Sequence, residues 1–540
     1  MTDTIQSNTK KPCLVQTAQG FSVSYDQKFL YSKYNPQKSI LEIIEKVSLL
    51  PQTVVLCVSP ILPYGLKALS QKLPPDCIML GCELDKELYD FMKDNAEQNK
   101  ADFLELKNFS FITKDELFDL GPILLKQDAV LQSGFALPSP GTFKRIVRID
   151  FSAAALLNND IYNKVTQNVT NALMTFWANR VTLVKFGRKY CTNFFKNLAF
   201  SKDTVPIENF FGSFEKPVLV FGAGESTQQG IEKIKKTGRD NYKILCADTA
   251  LQPLISNGIN PDGVFIEEAQ NVISKCFIGT QKSDIHIFAG LSSLHSITRY
   301  FKPEQISFFT TEFVQAKFIE RFEKAGILPP KNQPFGSVGI TTYYYATLFR
   351  KDESVPIETY GLDFSYSAGR THTKGAMADN ARFMTSSRIK NDANYGAAFN
   401  EPAFRKNENM YTTPIMQRYD AIMSALRQAQ GPQNKLQGPQ NKLQEPKGMQ
   451  NSAVPESVEG PEKITLALQH ESETLQTLKS LLTGEKTLPE DKLEKEITQL
   501  ITEREYLYLH FPDGQKFVYT QSFLNRIRIE IDYYLKILKR

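Results

Sequence analysis

Histidine is scarce in this chain of 540 residues: five occur, His286, His295, His372, His470 and His510, so imidazole chemistry has few places to reside. There is one tryptophan, Trp177. The seven cysteines, Cys13, Cys57, Cys77, Cys82, Cys191, Cys246 and Cys276, form no CxxC pair, and an odd, scattered set argues against a disulfide framework or a zinc site. Neither charge sign dominates. With 64 basic residues against 59 acidic ones and a net charge of +5, no strong field points to nucleic acid or an anionic membrane as partner. No segment approaches the roughly 20 apolar residues needed to cross a bilayer, and "MTDTIQSNTKKPCLVQT" lacks the basic end and apolar run of a signal peptide. A cytoplasmic location is expected.

What the chain has is enough apolar material, 41% hydrophobic and 11% aromatic, for two or three domains. Over residues 15–150, a helix-period stretch "YNPQKSILEIIEKVSLL", with Ile40, Ile43, Ile44 and Val47 on one side, leads into the strand "TVVLCVS". A turn, a helix and a second strand, "CIMLGCELD", follow and end at Glu83, about where a dinucleotide fold places its ribose-binding acid. The turn "VSPILPYG" lacks the glycines that let a pyrophosphate approach, so this domain reads as a scaffold. Residues 151–205 read as a helical connector, with Trp177 in a core and packing expected between domains.

From residue 206 to 426, short apolar runs ("VLVFG", "KILCAD", "GVFIE", "IHIFAG", "ISFFTT", "IETYGLDF") alternate with helical stretches. That is the pattern of a parallel sheet with helices on both faces, whose ligands bind at the carboxyl ends of the strands. Residues 427–462 hold the unit QGPQNKL twice; its Gly and Pro forbid a continuous helix and make it a flexible linker. Residues 463–540 read as helical, and their stripe Ile527, Ile531, Leu535 and Leu538 is expected to pack on other helices of this chain.

The central region carries the chemistry. In "VFGAGESTQQG", Gly222 and Gly224 open a turn between strand and helix, and Ser226 and Thr227 stand where they can cap that helix. Free amides there form an anion pocket; equally, a strand-to-helix turn of this kind can bind nothing. GxxxxGK[ST] is absent, and no third glycine completes GxGxxG, since residue 227 is Thr. Asp248 and Thr249 end the next strand, where Asp248 can equally serve as a helix cap, and Glu267 and Glu268 end the one after. Gly336 and Ser337 precede a helix in a second cluster of amides, and Asp363, Tyr366, Arg370 and His372 follow "IETYG". His372, on a loop at this edge, reads as functional; His286, inside a strand, reads as a core residue; His295 stays open.

Together, "GAGES", "CADTALQPLISNGINPDGVFIE", "FGSVGITTYYYATLF" and "ETYGLDFSYSAGRTHTKG", with "LYSKYNPQKSILEII" upstream, resemble the bacterial motility-associated factor proteins over about residues 20–420. The central domain of that family is similar to hydroxymethylpterin diphosphokinase-like domains. The resemblance implies an α/β fold: a Rossmann-like central domain with a mostly parallel sheet, a smaller α/β N-terminal domain and a helical C-terminal region. It implies a glycosyltransferase that carries a nonulosonic, sialic-acid-like sugar from a CMP-activated donor to Ser or Thr of flagellin in support of motility, with the sugar donor as substrate and no cofactor or metal. Gly222, Gly224 and Ser226 are then expected at the donor phosphate, and Asp248 and Thr249 at the nucleotide. The family pattern carries over onto Glu267, Gly361, Asp363, Tyr366, Gly369, Arg370, Thr371 and His372, with Arg370 and His372 expected in charge stabilisation and proton transfer and Asp363 beside them. Glu225 departs from the family, where Pro is usual. The rival readings are a pterin diphosphokinase using ATP and magnesium, with Asp248, Glu267 and Asp363 as metal carboxylates, and a flagellin-binding protein without catalysis.

Overall fold

The computed structural model describes residues 11–98, 106, 108–126, 128–280, 283–399, 402–429 and 460–539. The chain divides into two compact units, Met1–Lys185 and Phe186–Arg540.

The first unit begins with an antiparallel meander of β1 (Cys13–Thr17), β2 (Gly20–Tyr25) and β3 (Lys28–Phe29). Helix α1 (Lys38–Lys46) follows; it buries Ile40 and Ile44 but leaves Ile43 exposed, so its apolar face is narrower than the sequence pattern. A four-stranded parallel sheet of β4 (Thr53–Val58), β5 (Ile78–Cys82), β6 (Phe109–Phe111) and β7 (Arg145–Asp150) has the order β6-β5-β4-β7. Every residue of β4, TVVLCV, is buried, as expected of a central strand covered on both faces. The connections include α2 (Leu66–Lys72), α3 (Lys86–Gln98), α4 (Lys114–Phe118) and α5 (Leu120–Leu124). Ile61 and Leu62, 0% and 5% exposed, fill the glycine-poor turn after β4. A 43-residue helix, α6 (Asn159–Ser201), runs out of this unit into the second. Trp177 on α6 is half-buried rather than in a core: its indole N–H donates to the Phe143 carbonyl at 2.9 Å, and Lys144 Nζ sits 5.2 Å from its ring.

The second unit is built on seven parallel strands: β8 (Val218–Phe221), β9 (Lys243–Ala247), β10 (Gly263–Ile266), β11 (His286–Gly290), β12 (Ile306–Thr311), β13 (Lys331–Asn332) and β14 (Ile357–Tyr360). Their order is β13-β12-β11-β10-β9-β8-β14. The apolar runs read from the sequence became these strands, because alternating helices cover both faces. Helices α7 (Thr227–Thr237), α8 (Leu251–Ser256) and α9 (Lys317–Lys324) lie between successive strands. On one face, α10 (Val338–Phe349) sets Tyr345, Ala346 and Phe349 against Val218, Val220, Leu245, Phe265 and Phe288. Burying one such aromatic contributes about 1.5–3 kcal/mol. His286 joins this packing: its ring lies 4.6 Å from that of Phe210, its Nε2 is 2.8 Å from Ser307 Oγ, and burial lowers its pKa to about 4.

Beyond β14 come a small antiparallel sheet of β15 (Tyr366–Ser367), β16 (Phe404–Arg405) and β17 (Met410–Thr412), two short helices, α11 (Met377–Met384) and α12 (Tyr395–Phe399), and then α13 (Pro414–Ala429). Most of the repeat linker, 430–459, lies outside the described residues. The C-terminal helices are α14 (Pro461–Thr483), α15 (Glu490–Thr502) and α16 (Gln521–Leu538). Ile527, Ile531 and Leu535 of α16 are buried, and α16 packs on α14, so the stripe is used within the chain. Glu471 of α14, 1% exposed, accepts hydrogen bonds from Arg321 of α9 at 3.0 and 3.1 Å, from Arg504 at 3.1 Å and from Tyr506 at 2.7 Å. The two guanidinium groups hold its carboxyl below the usual range against the effect of burial. No helix of the described residues is long and apolar enough to cross a membrane.

Candidate functional site

From β8 the chain moves outward through β9 and β10, and β14 returns to the other flank of β8. The order therefore reverses between β8 and β14, and a doubly wound sheet places its ligand crevice at the carboxyl ends of such a pair. The glycine turn leaves β8 there and the Gly361–Asp363 loop leaves β14 beside it.

These two loops interlock. The N–H of Gly222 donates to the Tyr360 carbonyl at 2.7 Å and that of Gly224 to the Gly361 carbonyl at 2.9 Å. Asp363 accepts from the Ser226 N–H at 3.0 Å and from the Ser226 hydroxyl, and that same hydroxyl accepts from the Gly361 N–H at 2.6 Å. A Cβ at Gly222 would meet the Gly361 carbonyl oxygen, and one at Gly224 would meet the Asp363 carboxylate. The glycines are thus required for two backbones to approach, and the amides of Gly222, Gly224 and Ser226, expected to be free for a phosphate, are bonded within the chain. In this turn the N–H groups of Ala223 and Glu225 have no partner among the described residues. Ser226 stands at the helix start without capping it by its side chain. Thr227 instead donates to the carbonyls of Gly222 and Gly224, both at 2.8 Å. The acidic departure at Glu225 is turned aside, since its carboxylate accepts from the N–H of Ser367 at 3.2 Å and from its hydroxyl.

At the end of β9, Asp248 is 3% exposed. Its Oδ1 accepts from the Thr249 N–H at 2.6 Å, while Oδ2 is buried without a partner among the described residues. Burial, reinforced by the nearby Glu268 and Glu267, pushes its pKa up to about 7. Glu267, at the end of β10, has both oxygens engaged: Thr311 donates to one at 2.7 Å and Thr341 of α10 to the other at 2.8 Å. It pins β12 and α10 to β10, and burial raises its pKa too. Glu268 accepts from the Gln270 N–H at 2.8 Å, and its carbonyl from Leu294 at 2.9 Å. His295, beyond Leu294, is held by Asn197 of α6 at 2.8 Å, and burial depresses its pKa to about 4.

The loop carrying the third group crosses this edge. Thr373 donates its N–H to the Ala223 carbonyl at 2.8 Å, and Gln228 of α7 donates to its hydroxyl at 3.1 Å. His372 beside it is half-buried, its Nδ1 3.1 Å from the Thr371 hydroxyl, and burial holds its pKa below the usual value. Arg370 is exposed. Gly222, Gly224, Ser226, Asp363 and the Arg370–His372 loop are thus brought together, with Asp248, Thr249 and Glu267 at the ends of the next two strands.

One further expectation does not hold. Tyr366 is 4% exposed, packs on Tyr411 and donates its hydroxyl to the Ala397 carbonyl at 2.5 Å, so it belongs to the core of the small sheet. Gly336, with φ of +76°, lies against the Tyr419 ring, and Ser337 stands at the start of α10, where its side chain makes no cap. Sequence reasoning missed Thr311 and Thr341, whose hydroxyls read as ordinary strand and helix residues, and Ser367, whose N–H and hydroxyl hold the Glu225 carboxylate. A cavity of about 370 Å³ lined by Lys216, Arg239, Lys243 and Asp262 lies at the amino ends of β8 and β9, on the opposite edge, where Arg239 and Lys243 pair with Asp262 at 2.7 and 3.2 Å. Among the described residues no group of three His, Cys, Asp or Glu side chains is arranged to hold a metal ion.

Residues 192–369 match the family model described as "6-hydroxymethylpterin diphosphokinase MptE-like". An uncharacterized protein of Treponema pallidum (strain Nichols) is 29% identical over 564 aligned positions, covering 98% of this chain and 95% of that one. A second uncharacterized protein of the same organism is 30% identical over 100 residues, 18% of this chain and 46% of its own. The solved MAf glycosyltransferase from Magnetospirillum magneticum AMB-1 aligns over 98% of this chain and 91% of its own, at 12% identity and a TM-score of 0.49. Residues 192–369 of this chain are therefore MptE-like.

Proposed function

We propose that this protein is a glycosyltransferase that moves a nonulosonic sugar from a CMP-activated donor to a Ser or Thr hydroxyl of flagellin. The observation that carries the reading is Asp248: a buried carboxylate with one unpartnered oxygen, at the end of the strand next to the glycine turn, where a nucleotide fold places the acceptor for ribose hydroxyls. Asp248 and Thr249 hold the ribose. The N–H groups of Ala223 and Glu225, with Arg370, face the donor phosphate and stabilise the charge that grows on it as the bond to the sugar breaks. His372, kept neutral by burial, takes the proton of the attacking hydroxyl at Nε2, since Nδ1 faces Thr371. The oxygen of that hydroxyl forms the new bond to the anomeric carbon, and CMP leaves with the electron pair. Asp363 acts by position, fixing the turn through Ser226 rather than touching the donor. The match of residues 192–369 to the diphosphokinase-like family model favours a second reading, ATP-dependent diphosphorylation of a pterin with magnesium, for which Asp248, Glu267 and Asp363 would be the carboxylates.

Incubating the purified chain with flagellin and a CMP-nonulosonate, then reading intact flagellin mass, tests the first; ATP, magnesium and hydroxymethylpterin in place of both substrates tests the second. Sugar-sized mass increments support the transferase. Pterin diphosphate without any increment overturns it.

A further inference from the structure

Past Ala376, which is buried, the chain comes to the surface. Residues 380–392 are all exposed, among them Phe383 at 69%, Met384 at 85% and Ile389 at 94%, and Phe399 follows at 72%. Large apolar side chains at such exposure, close together in the sequence, mark an interaction surface. Basic residues are interspersed: Arg370, Lys374, Arg382, Arg388, Lys390 and Arg405 are exposed and make no ion pair among the described residues, whereas Lys406 pairs with Asp420 at 3.3 Å. Of the described acids between them, Asp379 accepts from the Gly375 N–H at 3.0 Å, and Asp392 is exposed. The flap is tied to the site at its root, where Thr373 bonds Ala223 and Asn394 donates to the Gly369 carbonyl at 2.6 Å.

We propose that the 377–399 flap is the docking surface for the acceptor protein, and that it takes a polypeptide segment with apolar side chains set among acidic ones. The excess of unpaired bases selects an acidic partner, and the apolar side chains supply the area a polypeptide covers. Because the flap continues directly from Arg370 and His372, a segment seated on it delivers its hydroxyl to the reacting edge. This inference rests on the transferase reading of that edge.

The test uses the full-length chain and two variants confined to exposed positions, Phe383→Ser/Ile389→Ser and Arg388→Glu/Lys390→Glu, with circular dichroism as the control for folding. Affinities are measured for purified flagellin, for CMP and for phosphatidylglycerol vesicles, and self-association by sedimentation. The expected result is flagellin binding that weakens at least about tenfold in both variants, and with added salt in the wild type, while CMP affinity is unchanged. Flagellin affinity equal to wild type in either variant overturns the proposal. So does a wild-type chain that ignores flagellin, that binds vesicles in its place, or that forms a dimer which the variants lose. Flagellin binding lost in the variants, from a chain that never binds CMP, retains the surface and removes the transferase reading.

Discussion

Replacing Asp248 by Asn should stabilise the protein at alkaline pH. The side chain is 3% exposed, and its Oδ2 has no partner among the described residues, so the ionised form stands in a poor environment. In the folded chain its proton is held up to about pH 7, against an ordinary 3.8. Between those values the folded state binds more protons than the unfolded one, so stability falls as pH rises from about 4 to about 7 and then stays low. The full difference corresponds to about 4 kcal/mol, lost progressively across that window. Asn keeps the shape, carries no charge, and retains an oxygen for the Thr249 N–H. Urea unfolding of wild type and Asp248→Asn at pH 5 and pH 8 measures both effects. The variant should gain about 2–4 kcal/mol on wild type at pH 8 relative to their difference at pH 5. It should also bind CMP more weakly, since an amide is a poorer acceptor for ribose hydroxyls. An equal stability difference at both pH values would refute the assignment of a buried, unpaired carboxylate.

Other substitutions probe the same edge and its support. Gly361→Ala, at φ of +70° with the Gly222 carbonyl and Thr227 hydroxyl in the way of a Cβ, should cost about 1–3 kcal/mol and weaken CMP binding, read by thermal denaturation and titration. Glu471→Ala should cost about 3–5 kcal/mol in denaturant midpoint, because it leaves Arg321 and the buried Arg504 without their shared carboxylate. His372→Ala should lower sugar transfer about 10²–10⁴-fold with CMP affinity unchanged, measured by single-turnover product formation. In the wild type the same rate should be flat above neutral pH and fall in acid, since burial lowers the pKa of this imidazole.

The sheet was legible in the sequence because its strands are short, apolar on both faces and bounded by turns, and β8 to β12 and β14 coincide with the quoted runs. Clustering of the polar strand ends was legible for the same reason, since parallel strands share one carboxyl edge. Occupancy of those side chains was not. Ser226 and Asp363 are 137 positions apart, and no local pattern foretells that each satisfies the other. Glu267 reads as a ligand contact until Thr311 and Thr341, from two other elements, take both of its oxygens. Tyr366 fitted the family pattern, yet its hydroxyl found the Ala397 carbonyl once the small sheet formed. Asp248 is the converse case: the sequence offers it as a possible helix cap, and burial without a partner for Oδ2 is a property of the folded edge alone.

The most direct measurement is the intact mass of flagellin incubated with a CMP-nonulosonate and either wild-type chain or Asp248→Ala. Stepwise gains of one sugar mass with wild type, reduced or absent with the variant, are predicted. Flagellin left at its original mass by a wild-type chain that binds both substrates would contradict the account.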